Sequence, residues 1–242
     1  MIMNSVDVVI PVYNAGLTIE KLINALKLSL SEYCEYRIIL VDDCSSDDSF
    51  ERMNACCGTE CLVLKLKKNR GQQMATFIGM QQSTADFCVI IDDDFKNSTS
   101  DIKALYEDVQ KGYDVSYGVS KPSGNTFRNF GSHLRDIVIH RLTGLEKAKK
   151  VSSFRIIKHE VVKKVVKADS KYVYISMEIL KHTHNIGNII VDEKSHGKTR
   201  YSFRKLVFLI VNLYIYYLPI KWLAKSIDEK IFDDIIIVGD KK

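Results

Sequence analysis

Short apolar runs recur along the first half of the chain, each followed by a polar stretch and then an amphipathic segment. The runs are Val6-Asp7-Val8-Val9-Ile10, Arg37-Ile38-Ile39-Leu40-Val41, Cys61-Leu62-Val63-Leu64 and Phe87-Cys88-Val89-Ile90-Ile91. Near-continuous β-branched runs of this kind suit strands covered on both faces. Between the first two runs, Ile19, Leu22, Ile23, Leu26 and Leu30 recur at helical spacing, which predicts a helix with one apolar face. After the fourth run, Ser98 stands ahead of Asp101 in a capping-box-like start, and Ile102, Leu105, Tyr106 and Val109 follow. This alternation predicts an α/β fold built on a parallel, doubly wound sheet. The second half is less regular, with segments at 151–166 and 186–191 before a basic and apolar tail.

The tail changes the picture most. Residues 206–220 read LVFLIVNLYIYYLPI. As a helix they would span about 22 Å, short of the roughly 30 Å hydrocarbon core of a bilayer. The segment reads as a buried core helix or as one lying in a membrane interface. The chain has 242 residues, 46% hydrophobic and 27% charged, which excludes global disorder. Its 3 Pro and 12 Gly exclude a collagenous or low-complexity chain. The formal net charge is +5, and residues 194–242 account for all of it, holding 10 of the 35 Lys and Arg and 5 of the 30 Asp and Glu. Basic residues flanking an apolar segment with Tyr and Trp suit attachment to an anionic membrane surface. A core-covering helix with snorkelling lysines is the competing reading. Ile235-Ile236-Ile237-Val238 reads as an edge strand or an oligomer contact. The opening MIMNSVDVVIPVYN has no basic n-region and no small-residue cleavage site, so no signal peptide is expected. Cys34, Cys44, Cys56, Cys57, Cys61 and Cys88 lack zinc-site spacing and are expected as buried free thiols.

In doubly wound sheets, ligands bind beyond the carboxyl ends of the strands. Those ends read Pro11-Val12-Tyr13-Asn14, Asp42-Asp43-Cys44-Ser45, Lys68-Asn69-Arg70-Gly71 and Asp92-Asp93-Asp94. GxGxxG and GxxxxGK[ST] fingerprints are missing, so the common dinucleotide and P-loop sites are not expected. On an extended segment Asp92 and Asp94 point the same way. Two carboxylates side by side suit Mg²⁺ or Mn²⁺, and a solvated acidic turn is the plainer alternative. A carboxylate at Asp42 or Asp43 can accept from the ring N–H of a nucleobase, or can simply favour a helix N-terminus. Gly71 lets backbone approach a ligand, and Asn69, Arg70 and Gln72 can donate to phosphate, although a surface turn uses the same letters.

Together, VVIPVYN, LVDDCSSDDS and NRGQQMATFIGMQQSTADFCVIIDDDFKN resemble family 2 glycosyltransferases of the GT-A fold, a Rossmann-like, mostly parallel sheet flanked by helices. The resemblance is strongest to the branch that makes polyprenyl-phosphate sugars, the dolichol-phosphate mannose synthases and undecaprenyl-phosphate aminoarabinose transferases. YGVSKPSGNTFRNFGS, SSFRIIKHEVV and THNIGNIIVDEKSHGKTRYSFRKL extend it over residues 6–215. It implies a catalytic domain at 1–200, with 201–242 as a C-terminal interfacial helical segment and tail. Pro11, Tyr13, Asn14, Asp42 and Asp43 would line the base pocket, with Asn69, Arg70, Gln72, Asp92 and Asp93 also on the donor. Asp92 and Asp94 match the metal-binding DxD motif. Asp94 and Arg200 are implied to be catalytic. Lys96, Arg128, Arg155, Lys194, Lys198 and Arg200 would face the donor diphosphate or the acceptor phosphate. Two positions depart from the family pattern. Lys96 replaces a Gln that helps ligate the metal, and Lys194 replaces an Arg, keeping charge but losing bidentate geometry.

The implied reaction is inverting displacement on a nucleotide sugar, UDP-, dTDP- or GDP-linked, with Mg²⁺ or Mn²⁺ weakened or partly replaced by Lys96. A phosphate acceptor is already ionised and needs no general base. A hydroxyl acceptor on a lipid-linked saccharide needs one, and Glu178 is then the candidate, its bland reading being an exposed helix acid. No QxxRW-type motif is present, which favours a polyprenyl phosphate. The chain is expected to lie peripherally on the cytoplasmic face of the membrane, with homo-oligomerisation open and nucleic acid not expected as a partner. A non-catalytic nucleotide-sugar-binding subunit, motivated by Lys96, is the alternative from another class, and a nucleotidyltransferase is disfavoured by the missing glycine-rich loop.

Overall fold

A computed structural model describes residues 4–94, 99–121, 126–168, 174–192 and 235–237. The first four apolar runs form β1 (Ser5–Val12), β2 (Glu35–Asp42), β3 (Cys61–Leu66) and β4 (Phe87–Ile90), all mutually parallel. The intervening segments are α1 (Ile19–Leu30), α2 (Ser49–Cys56) and α3 (Gln72–Gln81). The five apolar residues that predicted α1 are its buried face. Then follow α4 (Thr99–Val109), β5 (Val115–Ser120), α5 (Thr126–Thr143), β6 (Arg155–Lys158), α6 (His159–Val165), α7 (Ile175–Leu180), β7 (Ile186–Val191) and β8 (Ile235–Ile237).

These strands make one sheet in the order β7-β5-β6-β4-β1-β2-β3-β8. The chain moves outward from β1 to β3, then returns to the other side of β1 to lay down β4. The strand order therefore reverses between β1 and β4, the switch point at which such sheets open a crevice. The sheet is mostly parallel, as expected, with two antiparallel strands. β6 runs antiparallel to β4 and β5, and β8 antiparallel to β3. The reversal of β6 has a consequence for the site, because the residues leading into it lie beside the carboxyl end of β4, where Arg155 pairs with Ile90. The Ile235–Ile237 segment is an edge strand of its own chain's sheet.

Each sheet face has its own core. Val6, Val8, Ile10 and Val12 of β1 join α1, α2 and α4 on one side. Val9 joins Ile39, Val41 and the buried face of α3 on the other, together with α6 and α7. Asp7 interrupts the β1 run and is buried, yet every demand of its carboxylate is met. Arg37 forks onto both oxygens at 2.9 and 3.1 Å, and the Thr84 and Ala85 N–H groups donate at 2.7 and 3.0 Å. Among the cysteines, Cys34, Cys61 and Cys88 are buried as expected, whereas Cys44, Cys56 and Cys57 are half-buried. The apolar segment 206–220 and the rest of the tail apart from 235–237 lie outside the described residues, as does Ser98. Among the described residues no helix is long and apolar enough to cross a membrane.

Helix α3 lies close on the sheet because of Gly79. A Cβ there would meet Val9 Cγ1 at 2.4 Å and Val41 Cγ2 at 3.2 Å. Valine has little rotamer freedom with which to yield. Gly79→Ala is therefore expected to lower stability by about 1–3 kcal/mol through overpacking, read from urea unfolding midpoints. An unchanged midpoint would show that α3 is less tightly seated.

Candidate active site at the switch point

Four loops leave the parallel strands at one end of the sheet and hold one another through hydrogen bonds. After β1, Asn14 adopts a left-handed backbone with φ of 52°, a conformation Asn tolerates better than most residues. Its side-chain oxygen accepts from the Ser46 N–H at 2.9 Å, and its own N–H donates to Ser45 Oγ at 3.0 Å. The loops after β1 and β2 are thereby joined. Cys44, between them, also has positive φ, 62°.

The loop after β3 is fastened by Asp43. Its carboxylate accepts the Arg70 N–H at 2.6 Å and the Gly71 N–H at 2.8 Å. Gly71 has φ of +86° and opens helix α3, a geometry that disfavours side chains. Asp42 is fully buried and accepts from the Ser45 N–H at 3.2 Å. Burial raises both carboxyls above their ordinary range, and the backbone N–H donors pull the other way. Asp42 is thus engaged by the backbone of its own loop and Asp43 by that of the loop after β3.

The turn after β4 gathers the remaining contacts. Asp92 accepts from Gln72 Nε2 at 2.6 Å and from Ser153 Oγ at 3.0 Å. Asp93 accepts the Tyr13 N–H at 2.9 Å through its side chain and the Thr18 hydroxyl at 3.1 Å through its backbone. Two consecutive aspartates therefore reach three neighbours: the β1 loop, the start of α3 and the approach to β6. Asp94 is half-buried beside them. Burial pushes the Asp93 carboxyl up to about 6. The Tyr13 N–H opposes that shift, and the adjacent Asp92 and Asp94 charges add to it.

Arg155 pairs in β6 with Ile90, the last residue of β4, and is only 2% exposed. Its Nη1 donates to Ser176 Oγ at 2.8 Å, and its guanidinium carbon stands 5.8 Å from the Tyr117 ring centroid. Among the described residues no carboxylate pairs with it, and its buried Nε has no hydrogen-bond partner. Burial pushes the Tyr117 hydroxyl up to about 12, with the nearby Arg155 charge opposing.

The structure brings Tyr13, Asn14, Asn69, Arg70, Gln72, Asp92, Asp93 and Asp94 to one end of the sheet, with Pro11 buried in β1 just below. Tyr13 is 51% exposed, leaving its ring open at the rim. Glu178 departs from the bland expectation of an exposed helix acid. It is 3% exposed on α7 and pairs with Lys181 at 2.7 Å. Lys96, Lys194, Lys198 and Arg200 lie outside the described residues, and so does the side chain of Arg128, whose backbone is in α5. Ser153, Gln73 and Ser176 were not singled out from sequence. Ser153 had a signal, since it directly precedes the Phe154-Arg155 pair.

Comparison with known proteins decides the family. The model for glycosyl transferase family 2 matches residues 7–166, well over half of the 242-residue chain. This chain belongs to glycosyl transferase family 2. Among curated family 2 relatives, the undecaprenyl-phosphate 4-deoxy-4-formamido-L-arabinose transferase of Pseudomonas aeruginosa is 28% identical over 216 residues. The alignment covers 86% of this chain and 63% of that one. The transferase of the same name from Pectobacterium carotovorum is 30% identical over 218 residues, covering 86% of this chain and 66% of its own length. This chain thus spans a little under two thirds of these relatives. Among solved structures, glucosyl-3-phosphoglycerate synthase of Mycobacterium tuberculosis, in complex with Mn²⁺, UDP and glucosyl-3-phosphoglycerate, superposes with a TM-score of 0.67. It covers 88% of this chain and 78% of that chain at 15% identity, which shows the shared GT-A fold.

The Asp93 environment sets a pH dependence in this family 2 domain. Its carboxyl is harder to ionise folded than unfolded, so between pH 3.8 and about 6 the native state holds more protons than the unfolded chain. Stability therefore falls as pH rises through that window. Asp93→Asn removes the charge and keeps an oxygen for the Tyr13 N–H. In metal-free protein it is expected to raise Tm at neutral pH, with the gain shrinking on acidification toward about pH 4. A gain independent of pH would contradict this electrostatic origin.

Proposed function

We propose that this chain transfers a sugar from a nucleotide-sugar donor to a polyprenyl phosphate, inverting the anomeric carbon. The observation that carries the reading is the Asp92-Asp93-Asp94 turn at the β1/β4 switch point, tied to Tyr13, to Gln72 and to Ser153, which stands two positions before the buried Arg155. The names of the relatives, undecaprenyl-phosphate sugar transferases, support the acceptor class.

On the donor side, the exposed Tyr13 ring offers a face to a base. The Asn14–Ser46 and Asp43–Gly71 contacts hold the surrounding loops in place before substrate arrives. Asp92 and Asp94 offer carboxylate oxygens of the kind that hard divalent cations take. Among the described residues no group of three or more His, Cys, Asp or Glu could hold a metal ion. Asp92 and Asp94 would hold Mg²⁺ or Mn²⁺, ions that are commonly bound through one or two carboxylates together with substrate phosphate and water. Such an ion, when bound, stabilises the departing nucleoside diphosphate. Gln72 and Ser153, each donating to one Asp92 oxygen, would hold that carboxylate in place as the ion binds.

On the acceptor side, a phosphate monoester is mostly ionised at neutral pH, its second pKa being about 6. It attacks without a general base. Arg155 supplies a desolvated positive charge and an unused N–H, and a phosphate is the anion that a guanidinium recognises best. The hydroxyl-acceptor alternative depends on Glu178, whose carboxylate is buried and engaged by Lys181. That pairing favours the phosphate reading. A lipid acceptor also gives the basic tail a role, holding the enzyme peripherally on the cytoplasmic face of the membrane.

The test is incubation of the full chain with UDP-, GDP- and dTDP-sugars, undecaprenyl phosphate and Mn²⁺ or Mg²⁺. A lipid-soluble sugar phosphate is expected, with turnover reduced about 100-fold or more by Asp94→Asn. Glu178→Gln is expected to change turnover only a few-fold, since proton abstraction by a positioned base contributes roughly 100-fold or more. Near-abolition by Glu178→Gln, or transfer to a saccharide hydroxyl alone, would overturn the phosphate reading.

A further inference from the structure

The first turn of α3 carries two adjacent glutamines that point to different partners. Gln72 uses its amide nitrogen, donating to Asp92 Oδ1 at 2.6 Å. Gln73 uses its amide oxygen, accepting the backbone N–H of Ile175 at 3.0 Å, across 102 positions of sequence. Chemistry fixes both orientations, because a carboxylate only accepts and a backbone N–H only donates.

The Ile175 N–H is one of the orphan donors at the start of α7. Among the described residues, Gln73 is its hydrogen-bond partner. The next residue, Ser176, accepts from Arg155 Nη1 at 2.8 Å, and the Tyr117 ring lies 5.8 Å from the guanidinium carbon. A chain of contacts thus runs from Gln73 through α7 to Arg155. A second chain runs from Gln72 to the carboxylate turn. The two share one helix end and diverge from it.

We infer that Gln72 and Gln73 are positioning residues that serve different substrates, Gln72 setting the donor side through Asp92 and Gln73 setting the acceptor side through α7 and Arg155. This rests on the proposed function for the assignment of Arg155 to the acceptor phosphate. Gln73 touches neither substrate. It keeps the short helix α7 at the height where Ser176 meets Arg155. Loss of its oxygen frees the first turn of α7, and the guanidinium then samples orientations that do not meet the phosphate.

The opposite polarity of the two amides gives a discriminating test. Donor KM, acceptor KM and kcat are measured for wild type, Gln72→Glu, Gln73→Ala and Gln73→Glu, using the nucleotide sugar that the wild type turns over and undecaprenyl phosphate. Gln73→Ala is expected to raise acceptor KM about 5- to 10-fold, the worth of one hydrogen bond, with donor KM within about twofold. Gln73→Glu restores an acceptor oxygen for Ile175 and is expected to recover most of that loss. Gln72→Glu sets a carboxylate against Asp92 and is expected to weaken the donor side, leaving acceptor KM near its wild-type value. Equal movement of both KM values by Gln73→Ala, or failure of Gln73→Glu to rescue, would overturn the inference.

A binding measurement separates this result from the fate of the proposed reaction. Calorimetry with UDP and GDP in Mn²⁺ is expected to show weaker binding for Gln72→Glu and unchanged binding for Gln73→Ala. If wild type transfers nothing to any polyprenyl phosphate yet shows this pattern, the proposed acceptor falls while the donor half of the division stands. Weakening by Gln73→Ala, or no nucleotide binding by folded wild type, overturns the division itself.

Discussion

Carboxylates crowd the carboxyl end of this sheet, and the structure depends on how their charge is met. Asp42, Asp43, Asp92, Asp93 and Asp94 all stand within one or a few residues of a strand terminus. Those whose bonds are described are met by N–H or O–H donors, several from a neighbouring loop: Arg70 and Gly71 for Asp43, Tyr13 for Asp93, Gln72 and Ser153 for Asp92. Hydrogen bonds to a charged acceptor are about twice as strong as neutral ones. The same bonds that make the charges tolerable therefore fix the loops in their working arrangement. Asp93 is the least comfortable member, its carboxyl held up near 6 by burial and by its two neighbours. Strain of this kind is expected where a cation and a diphosphate complete the charge balance.

Arg155 is a buried cation in the neighbouring strand β6. A guanidinium buried without a carboxylate is costly unless something else compensates it. Among the described residues, Ser176 and the Tyr117 ring compensate only in part. The antiparallel course of β6 is what brings Ser153 to Asp92, two positions before Arg155, and sets Arg155 opposite Ile90 at the carboxyl end of β4. A parallel β6 would deliver those residues to the far end of the sheet.

Much of the first half was legible from sequence. Both-face burial follows from the continuous runs at β1, β2 and β4, and the spacing of Ile19, Leu22, Ile23, Leu26 and Leu30 marked the buried face of α1 without error. The strand ends carrying Asp, Asn and Arg converge at one end of the sheet, because parallel topology brings every such end together. What periodicity did not reveal was direction of pairing. β6 is four residues long and its local pattern is the same whether it runs parallel or antiparallel. Side-chain partners were equally hidden: the Arg70 and Gly71 N–H groups that Asp43 binds leave no mark in the residue pattern. Gln73 was missed because its partner lies 102 positions away and is a backbone N–H, which no residue pattern announces.

The central claim is that donor and acceptor meet between the Asp92–Asp94 turn and Arg155. A crystal structure of the full chain with Mn²⁺, a nucleoside diphosphate and a short polyprenyl phosphate tests it most directly. The claim predicts the ion and the diphosphate at Asp92 and Asp94, the base beside Tyr13, and the acceptor phosphorus within hydrogen-bonding reach of the Arg155 guanidinium. A nucleotide bound away from the β1/β4 crevice, or an acceptor phosphate with Arg155 still closed off from it, would contradict it.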